Sequence, residues 1–102
     1  MELTSLTLHE ASQRLRSGTV SSAELTNGCL DRIARLDPEI NAFITVTGES
    51  AMRGAEALDS ELREGHYRGP LHGIPIALKD LVDTAGVRTT AASALYEKRI
   101  PE

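Results

Sequence analysis

Aromatic side chains are scarce in this 102-residue sequence, which has two tyrosines, one phenylalanine and no tryptophan. Any core it builds is therefore aliphatic. Basic charge is also short, with 11 lysines and arginines against 15 acids and a formal net charge of −4. That balance excludes the clustered basic face of a nucleic-acid-binding module. The single cysteine, Cys29, excludes an internal disulfide and fits a reducing compartment. No apolar run approaches the roughly 18 residues of a membrane span, and no charged-then-apolar leader opens the chain. The expectation is a cytoplasmic protein that uses no membrane. His9, His66 and His72 share no helical face with one another or with Cys29, so the sequence implies no metal site. Gly65, Gly69 and Gly73 are followed by no Gly-Lys-Ser/Thr, which leaves a phosphate loop unsupported.

The remaining composition is that of an ordinary globular chain, 40% hydrophobic and 25% charged, with room for one small domain. Thr7 and Glu10 have the spacing of a capping box, with Leu8, Ala11 and Leu15 on one face and Gly18 as a stop. This predicts a helix over 8–17. Ser21 and Glu24 repeat the device, with Val20 and Leu25 placed as a hydrophobic staple. The stripe Leu25, Cys29, Ile33 and Leu36 predicts a second helix over 22–36 that stops at Asp37-Pro38. Cys29 on that stripe reads as a small core residue, not a nucleophile. Gly28 inside the helix costs about 1 kcal/mol relative to alanine, and the sequence supplies no reason for it. AFITV at 42–46 reads as a first strand, and a third helix is expected over 48–64, ended by Gly65. Its charges, Arg53, Glu56, Asp59 and Arg63, are expected on a solvated face and need no partner.

The most informative stretch is GPLHGIPIALKDL at 69–81. Ile74, Pro75, Ile76, Ala77 and Leu78 form a short aliphatic run, read as a strand buried on both faces. Lys79 then emerges at its carboxyl end, where open α/β sheets place their ligand crevices. A lysine kept among aliphatic groups loses solvation of its charged form, so a neutral amine becomes available as a general base. The plain alternative is that Lys79 and Asp80 only terminate a hydrophobic strand with charge. The two strands and the helix between them make a right-handed βαβ candidate. Turn and capping roles suit Asp80 and Asp83. His72 suits a loop residue that satisfies backbone or touches substrate. From 91 to 98 a further helix is expected to begin.

The segment GPLHGIPIALKDLVDTAGVRTTAAS at 69–93 resembles the amidase signature family of amide hydrolases, whose recurring pattern is GPLxGIPIAxKDxxDTxGxxTTxGS. LRSGTVSSAEL at 15–25 and RIARLDPEINAFITV at 32–46 resemble that family's amino-terminal helices and first strand. The resemblance runs over nearly the whole chain. Ala92 stands where the family usually has glycine, which bears on the backbone of the turn and not on the lysine. The resemblance implies an α/β class fold, the α/β/α fold of the family, incomplete here, with residues 1–41 a helical lead-in and 42–102 the first βαβ segment. It implies that Lys79 belongs to a Ser-cisSer-Lys triad that hydrolyses a carboxylic amide, without metal or organic cofactor. The family's two catalytic serines lie after the lysine segment, and Ser93 does not match either of them. The chain is therefore expected to be an amino-terminal piece of an amidase, inactive by itself.

The partners implied are a small-molecule amide in the complete enzyme and a second copy in a homodimer, with no direct nucleic-acid contact. A competing reading is the glutaminase subunit of a tRNA-dependent amidotransferase, which would add the other amidotransferase subunits as partners. KDLVDT at 79–84 resembles general amidases more than the KDN of that subunit. A third reading is a non-catalytic module that binds a partner. Two strands cannot cover both faces and both edges of a sheet, so the isolated 102 residues are expected to be partly disordered or to self-associate. Analytical ultracentrifugation with thermal melting checks this. A monomer with cooperative, concentration-independent unfolding would contradict it.

Overall fold

The structure is a computed structural model that describes residues 2–102. Its first long element starts at Thr7, whose hydroxyl accepts the Glu10 N–H at 3.1 Å while the Glu10 carboxylate accepts the Thr7 N–H at 3.0 Å. Helix α1 then runs Leu8–Ser17 and closes on Gly18, left-handed at φ 78°. Ser21 and Glu24 form the second reciprocal cap, with bonds of 3.0 and 3.2 Å. Helix α2 follows over Ser22–Ile40.

The sequence expectation places the end of α2 before Asp37-Pro38, and the structure carries it on to Ile40 with Pro38 inside. Proline at that place withholds one donor from the helix's last turn and leaves the remaining turns intact. Asn41, left-handed at φ 55°, closes the helix by donating its N–H to the Asp37 carbonyl at 2.7 Å. Helix α3 runs Gly48–Arg63. Gly65 at φ 85° ends it through two bonds, its own N–H to Leu62 and the His66 N–H to Glu61, the six-to-one and five-to-two pair of a Schellman close.

The chain forms two compact units. One takes in the amino-terminal segment through Asn41 together with Gly48–Pro75. Its core is Ala11, Leu15, Val20 and Leu25, with Leu3, Leu6 and Ile74 packed against it. Val20 and Leu25, the expected staple, are both buried. Loop 69–74 is fastened to the helices by polar bonds. The Ser12 hydroxyl donates to the Pro70 carbonyl and the buried Ser22 hydroxyl to the Gly73 carbonyl, each at 2.6 Å.

Asp59, expected on a solvated face where it needs no partner, has two. Its carboxylate accepts the Ser22 N–H at 2.7 Å and the Ala23 N–H at 3.0 Å, so α3 caps the start of α2. Those two N–H groups have no partner within their own helix, and the positive end of the helix dipole favours a carboxylate there.

The second unit, Ala42–Thr47 with Ile76–Glu102, holds no strand among the described residues. Residues 42–46 are irregular with a bend at Ile44, residues 74–78 form no ladder, and the one β-type pairing is an isolated bridge between Thr84 and Val87. The expected strands and the βαβ unit they would build are therefore not formed. A strand needs at least one hydrogen-bonded neighbour and, if apolar on both faces, a layer over each. The described residues supply neither. Ile76 is 74% exposed and Leu78 55%. The helix expected from 91 to 98 is reduced to one 3₁₀ turn over Ala94–Tyr96, capped by the Ser93 hydroxyl.

Two glycines separate cleanly in this fold. A methyl group added at Gly28 would lie 3.7 Å from Thr4 Cγ2 and 3.9 Å from Leu3 Cβ, which is ordinary contact. At Gly73 it would lie 3.1 Å from Ser22 Cβ, on a backbone at φ 79°. Gly28→Ala is expected to raise stability by about 1 kcal/mol through helix propensity. Gly73→Ala should lower it by about 1–2 kcal/mol or more, since the left-handed conformation is disfavoured for any L side chain. Thermal midpoints of the two variants should move in opposite directions.

Candidate functional site

Lys79 lies in the second unit and is exposed. Leu78 and Leu81 beside it are exposed as well, so the apolar enclosure that the sequence predicts for the lysine is not built by the described residues. What is built is a polar scaffold around the next residue. Asp80 Oδ1 accepts the Thr90 N–H at 2.9 Å, and Oδ2 accepts the Thr90 hydroxyl and, at 3.4 Å, the Ala92 N–H. The Asp80 carbonyl also accepts the Ala91 N–H at 2.8 Å, and the Lys79 carbonyl accepts the Val82 N–H at 3.0 Å. The Thr90 hydroxyl, the Thr90 N–H and the Ala92 N–H hold the Asp80 carboxyl below its ordinary range.

The turn that supplies these donors is strained. Ala91 and Ala92 have φ of 51° and 58°, left-handed values that favour glycine. Ala92 is the position at which the sequence departs from glycine. Thr89 and Thr90 are both buried.

Asp83 takes a separate part. Arg99 grips it with two bonds, Nη1 to Oδ1 at 2.7 Å and Nη2 to Oδ2 at 2.9 Å, and this donation holds the Asp83 carboxyl low. The same arginine segment runs beside the turn, since the Arg99 carbonyl accepts the Thr89 N–H at 3.0 Å and the Pro101 carbonyl the Gly86 N–H at 2.9 Å. Arg88 adds a bond to the Glu97 carbonyl at 2.9 Å. Ser93 is engaged as the cap of the short 3₁₀ turn.

In the first unit His72 is buried, and its ring is fully used. Nδ1 accepts the Arg68 backbone N–H at 3.1 Å, so Nε2 carries the proton and donates it to the Leu58 carbonyl at 2.8 Å. This is the neutral Nε2–H tautomer acting as an internal tie for the loop, not a ligand. Tyr67 stacks on the same ring with centroids 5.9 Å apart, and the Arg16 guanidinium sits 4.9 Å over Tyr67. An open depression lined by Leu58, Pro70, Leu71 and His72 also touches Arg68, whose guanidinium is paired with Glu61 at 2.5 and 2.7 Å. Cys29 is partly buried, and burial pushes its thiol up, which suits a packing residue. Among the described residues no cluster of three metal-ligating side chains occurs, and no helix is long and apolar enough to cross a membrane.

Residues 24–102 match the protein family described as Amidase. The chain is 48% identical over 100 residues to a glutamyl-tRNA(Gln) amidotransferase subunit of Dehalococcoides mccartyi, covering 98% of this chain and 20% of that one. It is 48% identical over 101 residues to the protein of that name in Geobacter metallireducens and 50% identical to that of Pelobacter propionicus, covering 99% of this chain and 21% of each relative. The chain thus spans about a fifth of the length of these relatives. A solved structure described as an inhibitor-bound vestigial protein complex that reveals the evolutionary origins of an s-triazine catabolic enzyme superposes with a TM-score of 0.88. It is 33% identical, and the match covers 95% of this chain and 21% of that one.

Asp80 and Asp83 set the acid limb of stability for this unit. Both carboxyls are held low, so each contributes stability that is present above the unfolded carboxylate value of about 4 and lost as pH falls through the lowered folded value. Asp80→Asn is expected to flatten the loss of stability below about pH 4, seen as a smaller shift of the thermal midpoint between about pH 5 and pH 3 than in the wild type.

Proposed function

The chain belongs to the amidase family, and on that premise we propose that it contributes the general base, Lys79, to an active site that releases ammonia from glutamine in a tRNA-dependent amidotransferase. The observation that carries this reading is the continuous match, at 46–50% identity over 98–99% of the chain, to proteins named as glutamyl-tRNA(Gln) amidotransferase subunits. It is joined by the register of Gly69, Pro70, Gly73, Lys79, Asp80, Asp83 and Thr84 with the family's lysine segment.

In this reading the complete protein supplies a nucleophilic serine and a bridging cis-serine from outside these residues. Neutral Lys79 takes the nucleophile's proton by way of the bridging serine, and the serine oxygen attacks the glutamine side-chain carbonyl. Backbone N–H groups hold the oxyanion. As the intermediate collapses the amide nitrogen takes that proton from the lysine, by way of the bridging serine, and leaves as ammonia, and the acyl-enzyme that remains is hydrolysed by water. Residues 42–46 and 74–78 become strands of the family's α/β/α sheet once neighbours cover their edges, and that cover also removes water from Lys79. The protein then works in the cytoplasm with the other amidotransferase subunits.

KDLVDT supports a second reading, a general amidase working alone on a simple carboxamide, because Leu81 stands where the glutaminase subunit often has asparagine. The two readings are separated by co-purification. An amidotransferase component brings partner subunits with it, and a general amidase does not.

Lys79→Ala in the complete protein is expected to abolish ammonia release from glutamine, by at least about 1,000-fold, with the fold unchanged, since the base acts as a unit with the serines. Steady-state ammonia assays with circular dichroism of the variant check this. Near-normal turnover would remove Lys79 from the mechanism.

A further inference from the structure

We propose that Asp80 is a positioning residue for Lys79, tying the turn at 90–92 to the chain at 79–80 and so fixing how the lysine leaves the backbone. The proposal rests on the reading of Lys79 as the base. Thr90, Ala91 and Ala92 direct their donors at this one residue. The Thr90 N–H is 2.9 Å from Oδ1, the Thr90 hydroxyl and Ala92 N–H meet Oδ2, and the Ala91 N–H is 2.8 Å from the Asp80 carbonyl.

Two further observations make this more than a turn. Ala91 and Ala92 both adopt left-handed backbone, a conformation disfavoured for L side chains, and such strain persists only where the surroundings over-determine it. The Ala91 N–H points to the Asp80 carbonyl, and the Ala92 N–H is shared between Asp80 Oδ2 at 3.4 Å and the Thr90 hydroxyl at 3.2 Å. Apolar packing does not substitute for this hold, because Ile76, Leu78 and Leu81 are exposed while Thr90 is buried. Hydrogen bonds are therefore what holds Asp80, through its carboxylate and its carbonyl, while the Val82 N–H on the Lys79 carbonyl ties the Lys79–Asp80 peptide itself. Asp80 itself moves no proton.

The test is made in the complete protein, assembled with any subunits that co-purify, by ammonia release from glutamine and from benzamide. Asp80→Asn and Thr90→Val are each expected to lower kcat about 10- to 100-fold with KM within about threefold, the signature of a displaced catalytic group. Thr90→Ser, which keeps the hydroxyl, should restore kcat to within about twofold of wild type, and Asp80→Asn with Thr90→Val together should be no slower than Asp80→Asn. A folded Thr90→Val or Asp80→Asn protein with wild-type kcat, while Lys79→Ala is dead, overturns the positioning role alone. A raised KM with unchanged kcat overturns it too. An active Lys79→Ala protein, or a wild type that hydrolyses neither amide, overturns the reading of Lys79 and this role with it. If Asp80→Asn does not fold, Thr90→Val decides.

Discussion

The amino-terminal unit depends on how α2 begins. A helix start leaves its first N–H groups without partners, and here each has one. The Ser21 N–H goes to Glu24, those of Ser22 and Ala23 to Asp59, and that of Glu24 to Ser21. Two of these bonds are local, and two come from a residue 36 or 37 positions further on. The same turn of helix holds Ser22, whose buried hydroxyl fastens the Gly73 carbonyl. One short stretch therefore joins α2, α3 and the loop that leads toward the lysine segment. Gly73 can take its place only because it lacks a side chain, given its left-handed backbone and the 3.1 Å that would separate a Cβ from Ser22.

The second unit is organised on a different principle. The described part of it contains no buried aliphatic cluster, and its order comes from charge-assisted hydrogen bonds, Asp80 with the 90–92 turn and Asp83 with Arg99. Such bonds are directional and hold backbone geometry well, but exposed ones contribute modestly to stability. A unit built this way keeps a turn in shape without securing the chain around it. That matches a segment whose apolar side chains, Ile44, Val46, Ile76 and Leu78, remain uncovered.

The parts legible in the sequence are those set by neighbours within four or five residues. Both capping boxes, the Val20–Leu25 staple, the start of all three helices and the Gly18 and Gly65 stops can be read from spacing alone. The end of α2 escapes such a reading because the rule against helical residues before proline is weak in a last turn that Asn41 can still close. Asp59 escapes it because nothing in its own helix marks it. Its partners lie in another element, and periodicity reports only which face a residue occupies, not what meets that face. The anchoring role of Asp80 is half visible, since its sequence suits a turn but does not point to Thr90 and Ala92 as its partners. The one available signal is the departure from glycine at position 92, which marks a backbone that needs holding.

The missing strands follow from the same distinction. A helix satisfies its own backbone, so α1, α2 and α3 form from local information. A strand satisfies its backbone only through other strands, and residues 42–46 and 74–78 read as strands because of what their side chains require, not because of bonds they can make alone. The exposure of Lys79 is one more consequence. The aliphatic groups beside it, Ile76 and Leu78, are ones that only a sheet would cover, so in the proposed reading the surroundings of the lysine depend on the same pairing as the strand. The hydrogen-bonded turn at 90–92 is independent of that pairing. It holds the Asp80 carboxylate and carbonyl without any strand pairing.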